Sequence, residues 1–226
     1  MITMYAFLGH YGAGLPAHRL HAAAARLRTG PSGGVRLSRG EGWALASGRV
    51  FDRGGVAVAL DGGIGGRLAL ATRLEVRGLP VADRNDAALA HSAFALDGAG
   101  FAAHVAGVYA AAVVDARAEP VLVLAAAGAG GTPLYYHWEP QEGRLCFASA
   151  LPALLALLPD RPGPRVRVLP PGTSAVCCRH GRARPAPRAV SGGLTVAGGL
   201  TVAARRRSVP AAGRARAAAA AVRAPG

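Results

Sequence analysis

The sequence predicts an α+β fold whose central strands are buried on both faces. Residues 121–124, Val-Leu-Val-Leu, are apolar at every position, and an apolar run without alternation indicates a strand that is covered on both sides. The run 108–114 has the same character, and a short polar segment, 115–119, precedes the second run. Two neighbouring strands of this kind favour an antiparallel sheet with a second layer on each face.

Three further elements surround these strands. The segments 134–138 and 144–147 flank a stretch that contains Pro140 and Gly143, which predicts a hairpin. Apolar residues at i, i+3, i+4 and i+7 predict a helix over 151–158 that ends at Pro159. Another helix is predicted over 87–96, with Asp86 as its N-cap.

The charges divide the chain into a body and a tail. Residues 1–160 contain 13 Arg and all 12 acidic residues, a net charge of +1, whereas residues 161–226 contain 13 Arg and no acid. The last 46 residues lack aromatic side chains, so little apolar bulk offsets their ordering entropy. We expect a folded domain over 1–178 and a tail, 179–226, that is disordered or a truncated remnant. The tail contains a direct hexapeptide repeat, 192–197 and 198–203, which we interpret as sequence slippage because two copies are too few for a solenoid.

The sequence favours a cytoplasmic protein without a metal centre. Its N-terminus lacks the basic and apolar regions of a signal peptide, and its longest uncharged run, 120–138, is interrupted by Gly and Pro, which argues against a membrane span. Cys146, Cys177 and Cys178 have neither metal-site spacing nor a disulfide framework, so we interpret them as apolar filler. The histidines lack carboxylate companions at ligand spacing.

Several motifs follow one another in a fixed order through the domain. They are Met4-Tyr-Ala-Phe-Leu-Gly9, Ala46-Ser-Gly-Arg-Val50, Asp61-Gly-Gly-Ile64, Gly107-Val-Tyr-Ala-Ala-Ala-Val-Val-Asp115, Pro133-Leu-Tyr-Tyr136, Phe147-Ala-Ser149 and Leu169-Pro-Pro-Gly172. Over about residues 4 to 176 this order resembles the glutaminase domain of asparagine synthetases, a class II glutamine amidotransferase. The resemblance implies an αββα sandwich of two antiparallel sheets flanked by helices, of the Ntn-hydrolase type.

The resemblance also implies that the catalytic machinery is lost. Tyr5 stands where the family has its nucleophilic Cys, and a phenol with a pKa of about 10 cannot replace a thiolate, so we assign no catalytic residue. Gly62 matches the backbone donor of the family's oxyanion hole. Asp61 replaces the Asn donor beside it, and an ionised carboxylate would repel an oxyanion. Gly63 replaces a Glu.

Two positions of the implied substrate site keep the family's residue types. Arg49 matches the arginine that grips the α-carboxylate of glutamine, and Asp86 matches the aspartate that takes its α-ammonium. An Arg and an Asp on two loops could clamp an amino-acid zwitterion. The alternative is that Arg49 belongs to the many surface arginines and that Asp86 only caps a helix.

Relatives such as β-lactam synthetases and lasso-peptide cyclases resemble this arrangement, because they lack the Cys and close amides with an ATP-dependent C-terminal domain. The first hypothesis is therefore the N-terminal domain of an asparagine synthetase-type enzyme, inactive alone. No βαβ unit fits after Ser191-Gly-Gly193, so we expect no cofactor here; ATP and Mg would come only with a synthetase domain supplied by a partner. The partner is a separate synthetase domain or subunit, and a homodimer is allowed.

The second hypothesis is a polyanion or nucleic-acid binder that acts through the tail. Ten Arg between Arg179 and Arg223 would give salt-dependent affinity for phosphate. No aromatic residue interleaves them for base stacking, so nucleic acid is not the expected partner. A third hypothesis is an active amidohydrolase with an unrecognised nucleophile.

Overall fold

A computed structural model of the protein describes residues 5–27, 34–79, 81, 83, 85–128, 130–158, 165–178, 193–196 and 200–203. Strands dominate this part of the chain, and helices are inserted between them. The described strands are β1 (Phe7–Gly12), β2 (Arg36–Gly40), β3 (Trp43–Ser47), β4 (Val50–Arg53), β5 (Val56–Ile64), β6 (Gly107–Asp115), β7 (Val121–Ala127), β8 (Tyr135–Glu139), β9 (Arg144–Ala148), β10 (Arg167–Val168), β11 (Thr173–Cys178), β12 (Gly193–Val196) and β13 (Leu200–Ala203). The described helices are α1 (Ala17–Ala24), α2 (Arg67–Val76), α3 (Asp86–Asp97), α4 (Leu151–Leu157) and a short 3₁₀ helix (Gly98–Ala103).

The strands form two antiparallel sheets. The first sheet has the order β10-β8-β9-β1-β3-β2, and the second has the order β12-β13-β11-β7-β6-β5-β4. Every neighbouring pair is antiparallel. Helices α1 and α4 cover the outer face of the first sheet, and α2 and α3 cover the outer face of the second. The predicted αββα sandwich is therefore confirmed.

Strand β6 illustrates why the apolar runs lack alternation. Its residues Ala112 and Val114 lie in the core between the two sheets. Tyr109 and Val113 point to the opposite face, into the core beneath α2 and α3. Because successive side chains of a strand point to opposite faces, a strand with a core on each side must be apolar at every position. The prediction that β6 and β7 are buried on both faces is confirmed.

The predicted hairpin is present as β8 and β9, with Glu139 opposite Arg144. The helix predicted over 151–158 is α4, which ends one residue earlier. The N-cap of α3, however, was predicted wrongly. Asn85 is the cap, because its side chain accepts a hydrogen bond of 2.9 Å from the backbone amide of Ala88. Asp86 is the first residue of the helix and does not cap it.

Two strands lie within the segment that was predicted to be disordered. One strand comes from each copy of the hexapeptide repeat: β12 pairs with β13, and β13 pairs with β11, with Val176 opposite Thr201. The ten tail arginines lie outside the described residues, as does the rest of that segment. No helix in the described part of the chain has the length and apolar character that a membrane crossing requires.

His10 is a buried polar residue on the helix-facing side of the first sheet. It is 5% exposed and lies opposite Cys146 of β9. Its Nδ1 atom has no hydrogen-bond partner among the described residues. Burial, and to a lesser extent the nearby Arg144 guanidinium, lowers the pKa of His10 from 6.5 to about 4, since both disfavour the imidazolium.

We therefore expect acid to destabilise the fold through His10. The stability linked to neutral His10 is present above pH 6.5 and is lost as the pH falls toward 4. The steepest slope is about 1.4 kcal/mol per pH unit. In urea denaturation at pH values from 7 to 4, His10→Gln should flatten this slope. The exposed His104 is a matched control, and a His104→Gln protein should keep the wild-type slope. Equal slopes in all three proteins would contradict the assignment.

Candidate functional site

A cavity of about 580 Å³ opens at one end of the second sheet, beside the first turns of α2 and α3. Its walls come from segments that are far apart in the sequence. Five of the six residues to which the sequence assigned a site position line this one cavity: Tyr5, Arg49, Gly62, Gly63 and Asp86. Asp61 is the exception.

The wall on the side of the first sheet consists of Tyr5 and Arg49. Tyr5 precedes β1, and Arg49 lies in the turn between β3 and β4. The guanidinium carbon of Arg49 is 5.0 Å from the centre of the Tyr5 ring, a distance typical of a cation–π contact. The buried Ser47 side chain holds the two segments together. Its hydroxyl donates to the carbonyl of Ala6 (3.1 Å) and accepts from the amide of Arg49 (3.3 Å).

Gly62 forms the floor of the cavity within β5. Its φ angle is +106°, which side chains with a Cβ rarely adopt. A Cβ atom at this position would lie 2.3 Å from the carbonyl oxygen of Val108 on β6. Strand β5 runs through this position to Ile64, with Gly62 opposite Tyr109. The glycines therefore permit a close approach of two paired strands, and they do not end the strand.

Asp86 lies across the cavity at the first residue of α3. Its Oδ1 atom is 3.0 Å from Nε of Arg67, the first residue of α2, and the Asp86 side chain is 21% exposed. Burial raises the pKa of the Asp86 carboxyl, and this effect outweighs the opposing influence of Arg67, the Ile64 amide and Arg49. Asp86 is thus a partly buried carboxylate that already has one cationic neighbour.

Asp61 is not among the residues that line the cavity. It is 4% exposed, and its Oδ1 atom has no hydrogen-bond partner among the described residues. Burial raises the pKa of the carboxyl, and this effect exceeds the opposing influence of the Ser149 hydroxyl and the Gly62 amide. The resemblance implies that Asp61 is an ionised acceptor. In the structure, burial instead favours the protonated acid, which retains a hydrogen-bond donor.

The Asp61→Asn substitution is expected to raise the free energy of unfolding at pH 7 by about 1–3 kcal/mol, because the amide has the same shape and no charge to desolvate. Protonated Asp61 contributes its full stability below pH 3.8, the ordinary pKa of the carboxyl, and this contribution is lost as the pH rises through the raised folded-state pKa. The increase in the free energy of unfolding in the Asp61→Asn protein should therefore be present at pH 7 and vanish near pH 3. Urea denaturation at both pH values measures it.

Asp115→Asn is the matched control for this prediction. A hydrogen bond from the Arg117 guanidinium holds the pKa of Asp115 below its ordinary value. The Asp115→Asn substitution removes the negative charge of this ion pair and should therefore lower the free energy of unfolding at pH 7. The loss should be at most about 1 kcal/mol because the ion pair is at the surface. A loss of stability in the Asp61→Asn protein at pH 7 would contradict the argument for Asp61.

Comparison with known proteins agrees with this geometry. Residues 49–156 match the family model of a glutamine amidotransferase domain. Among solved structures, the glutamine phosphoribosylpyrophosphate amidotransferase from B. subtilis, complexed with ADP and GMP, is similar with a TM-score of 0.59 at 15% sequence identity. The chain therefore resembles a glutamine amidotransferase domain over residues 49–156, and it shares the fold of the matching part of the B. subtilis structure.

The alignment with the B. subtilis structure covers 76% of this chain and 47% of that chain, so the protein spans about half the length of that relative. At this identity the similarity concerns the fold alone. A glutamine aminotransferase class-II domain protein from Silicibacter pomeroyi also matches, with a TM-score of 0.46 at 14% identity over 76% of this chain and 94% of that chain. No curated protein matches the sequence.

The three thiols of the chain lie away from the cavity. Cys146 is buried beneath α1 and α4, and burial raises its pKa to about 12. Cys177 faces the core between the sheets, and burial raises the pKa of its thiol as well. Cys178 is half-buried with a raised pKa, mainly through burial. Because a thiol with a raised pKa is a poor nucleophile at neutral pH, these cysteines suit the apolar role that the sequence suggested.

Arg67 is a cavity residue that the sequence did not indicate. Its side chain lines the cavity and contacts Asp86, which lies 19 positions further along the chain. The one local signal is the pair Gly65-Gly66 before a helical segment. Gly66 has a φ angle of +63° and is the N-cap of α2, so Arg67 is the first residue of the helix. The packing of α2 on α3 is a tertiary feature, so no sequence period could have placed this arginine beside Asp86.

Proposed function

We propose that this chain is the glutamine amidotransferase-like domain of an asparagine synthetase-type, ATP-dependent amide-forming enzyme, and that it does not itself hydrolyse glutamine. The observation that carries this proposal is the position of Tyr5. Its side chain lines the cavity where the resemblance requires a thiol, and the described cysteines lie elsewhere. The cavity therefore has charged side chains that could bind a ligand, but its described lining residues include no thiol.

The chemistry of amide hydrolysis supports the loss of activity. An acyl transfer needs a nucleophile that is ionised or next to a base. A phenol with an ordinary pKa of about 10 is almost entirely protonated at neutral pH. Among the described residues, the cavity wall holds no Ser, Thr, Cys or His that could serve instead. Glutamine in this cavity would therefore stay intact.

The remaining polar groups support the binding of an amino acid. Arg49 offers a guanidinium for an α-carboxylate, and Asp86 offers a carboxylate for an α-ammonium. The two side chains come from different elements and line the same cavity, which suits a ligand that carries both charges. We propose that the domain holds such a ligand as a structural or sensory element of the larger enzyme.

Amide formation in this proposal belongs to a separate domain or subunit. That partner would bind ATP and Mg, and this chain would contribute no cofactor site. The match covers 47% of the length of the B. subtilis amidotransferase, which is consistent with one domain of a larger enzyme. The proposal also allows a homodimer of this chain. The free cysteines agree with the cytoplasmic location that we propose.

An assay of ammonia release tests the proposal directly. The full chain is incubated with glutamine, and free ammonia is measured by a coupled dehydrogenase assay. We expect no release above a glutamine blank. In parallel, the chain is treated with a diazoketone analogue of glutamine and weighed by intact mass spectrometry, where we expect no adduct in the cavity.

The half-buried Cys178 is the appropriate control for the labelling experiment. An adduct that disappears in the Cys178→Ser protein reflects a thiol outside the cavity and leaves the proposal intact. Ammonia release, or an adduct on a residue that lines the cavity, would refute the loss of glutaminase activity. It would favour the active amidohydrolase instead.

A further inference from the structure

The charges that line the cavity are unequal in number. Among the described residues, its charged side chains are Arg49, Arg67 and Asp86, a net charge of +1. A glutamine zwitterion has no net charge, whereas glutamate carries a net charge of −1. Charge complementarity therefore favours an acidic amino acid over its neutral amide.

The backbone adds to the positive field in the cavity. Arg67 is the first residue of α2 and Asp86 is the first residue of α3, so two helices begin at this cavity. The N-terminus of a helix carries a partial positive charge and amide groups without an intrahelical acceptor. The N-terminus of α2 has no side-chain cap, whereas Asn85 caps α3. The uncapped terminus and the two guanidinium groups give the cavity a positive field, and Asp86 provides one counter-charge.

The hydrogen-bonding groups on the walls also favour a carboxylate. An amide side chain offers two N–H donors and needs acceptors, whereas a carboxylate needs donors alone. The described side chains that line the cavity include two guanidinium groups and one phenol, but no Asn, Gln, Ser or Thr. The one carboxylate is Asp86, which is already 3.0 Å from Nε of Arg67. The described side chains of the wall are therefore rich in donors and poor in acceptors.

We infer that the cavity selects an amino acid with an acidic side chain, of the glutamate type, over glutamine, and that Arg67 is the residue that determines this specificity. The inference rests on the proposed function, because it assumes an amino acid in the cavity. In the bound state Arg49 takes the α-carboxylate, Asp86 takes the α-ammonium, and Arg67 lies between Asp86 and the ligand's second carboxylate. A charge-assisted hydrogen bond to that carboxylate makes glutamate about tenfold tighter than glutamine.

Isothermal titration calorimetry of the full chain with L-glutamate and L-glutamine tests this inference. Glutamate should bind about tenfold more tightly. In the Arg67→Gln protein the ratio should fall to about threefold or less, because the second carboxylate loses its partner. Arg77→Gln is the matched control, since Arg77 is exposed and lies just past the other end of α2. This variant should keep the wild-type ratio.

The other outcomes are equally decisive. Glutamine that binds as tightly as glutamate, or a ratio unchanged in Arg67→Gln, would overturn the inference. Glutarate, which has two carboxylates and no ammonium, should bind more weakly than glutamate; equal binding would overturn the amino-acid ligand. If neither amino acid binds, the inference fails while the absence of ammonia release still stands. Ammonia release would refute the proposed function even if glutamate binds.

Discussion

Replacement of Arg144 by methionine should reduce the free energy of unfolding by about 3–5 kcal/mol, because it breaks a buried ion pair and leaves one charge behind. The Arg144 and Glu139 side chains are 7% and 10% exposed, and Nη2 of Arg144 is 2.5 Å from Oε2 of Glu139. Nη1 of Arg144 also donates to the carbonyl of Gly14 at 2.7 Å. Urea denaturation at pH 7 gives the loss.

Two further proteins separate the buried ion pair from a general loss of arginine. In the double variant Arg144→Met with Glu139→Gln, part of the stability should return, because no carboxylate is left unpaired. Arg117→Met removes a surface ion pair with Asp115, in which Arg117 is 56% exposed, and should cost at most about 1 kcal/mol. A loss in Arg144→Met as small as that in Arg117→Met would show that the buried pair contributes little.

Gly62→Ala should destabilise the fold by about 3–5 kcal/mol and abolish ligand binding in the cavity, since backbone strain and overpacking add at this position. The φ angle of +106° disfavours a residue with a Cβ, and the Cβ would lie 2.3 Å from the carbonyl oxygen of Val108. To accommodate it, β5 and β6 would have to separate at the floor of the cavity. Thermal denaturation and glutamate titration measure the two effects.

The Gly66→Ala variant separates the cost of a positive φ angle from the cost of a steric clash between the new Cβ and a neighbouring strand. Gly66 has a φ angle of +63°, but no heavy atom lies within 4 Å of a Cβ built there. Its cost should be about 1–2 kcal/mol from the left-handed backbone alone. If Gly62→Ala were as mild as Gly66→Ala, the contact between β5 and β6 would not be as close as described, and the argument from collision would be wrong.

The core strands could be predicted because burial on both faces leaves a local signature. The unbroken apolar run of β7 predicts a strand between two layers regardless of its partners, and the structure agrees. The turn residues Pro140 and Gly143 likewise predict the hairpin of β8 and β9. In these cases the information lies within a few residues of the element itself.

The errors arise where a distant segment decides the outcome. Residues 61–64 belong to β5 because they pair with β6, and the motif that contains Gly62 and Gly63 does not indicate this. Asn85 and Asp86 are both good N-caps, and the choice between them depends on where the helix begins against the sheet.

The candidate site shows the same division. The resemblance brought Tyr5, Arg49, Gly62 and Asp86 to attention, and the structure places them around one cavity. Arg67 has no such signal, because its role depends on the contact between two helices. The effect of burial on Asp61 could not be seen in the sequence either, since a carboxyl group's pKa depends on its surroundings.

The cavity joins parts of the chain that are separated by up to about a hundred positions, from Tyr5 to Gly107. A molecule held there would act as a non-covalent cross-link between the start of the chain, both helices of one layer and the middle of a sheet. At a concentration 100 times its dissociation constant it would add about 2.7 kcal/mol to global stability. Amide hydrogen exchange should then slow throughout the domain. Ligand binding could therefore be detected from the exchange rates of backbone amides far from the cavity.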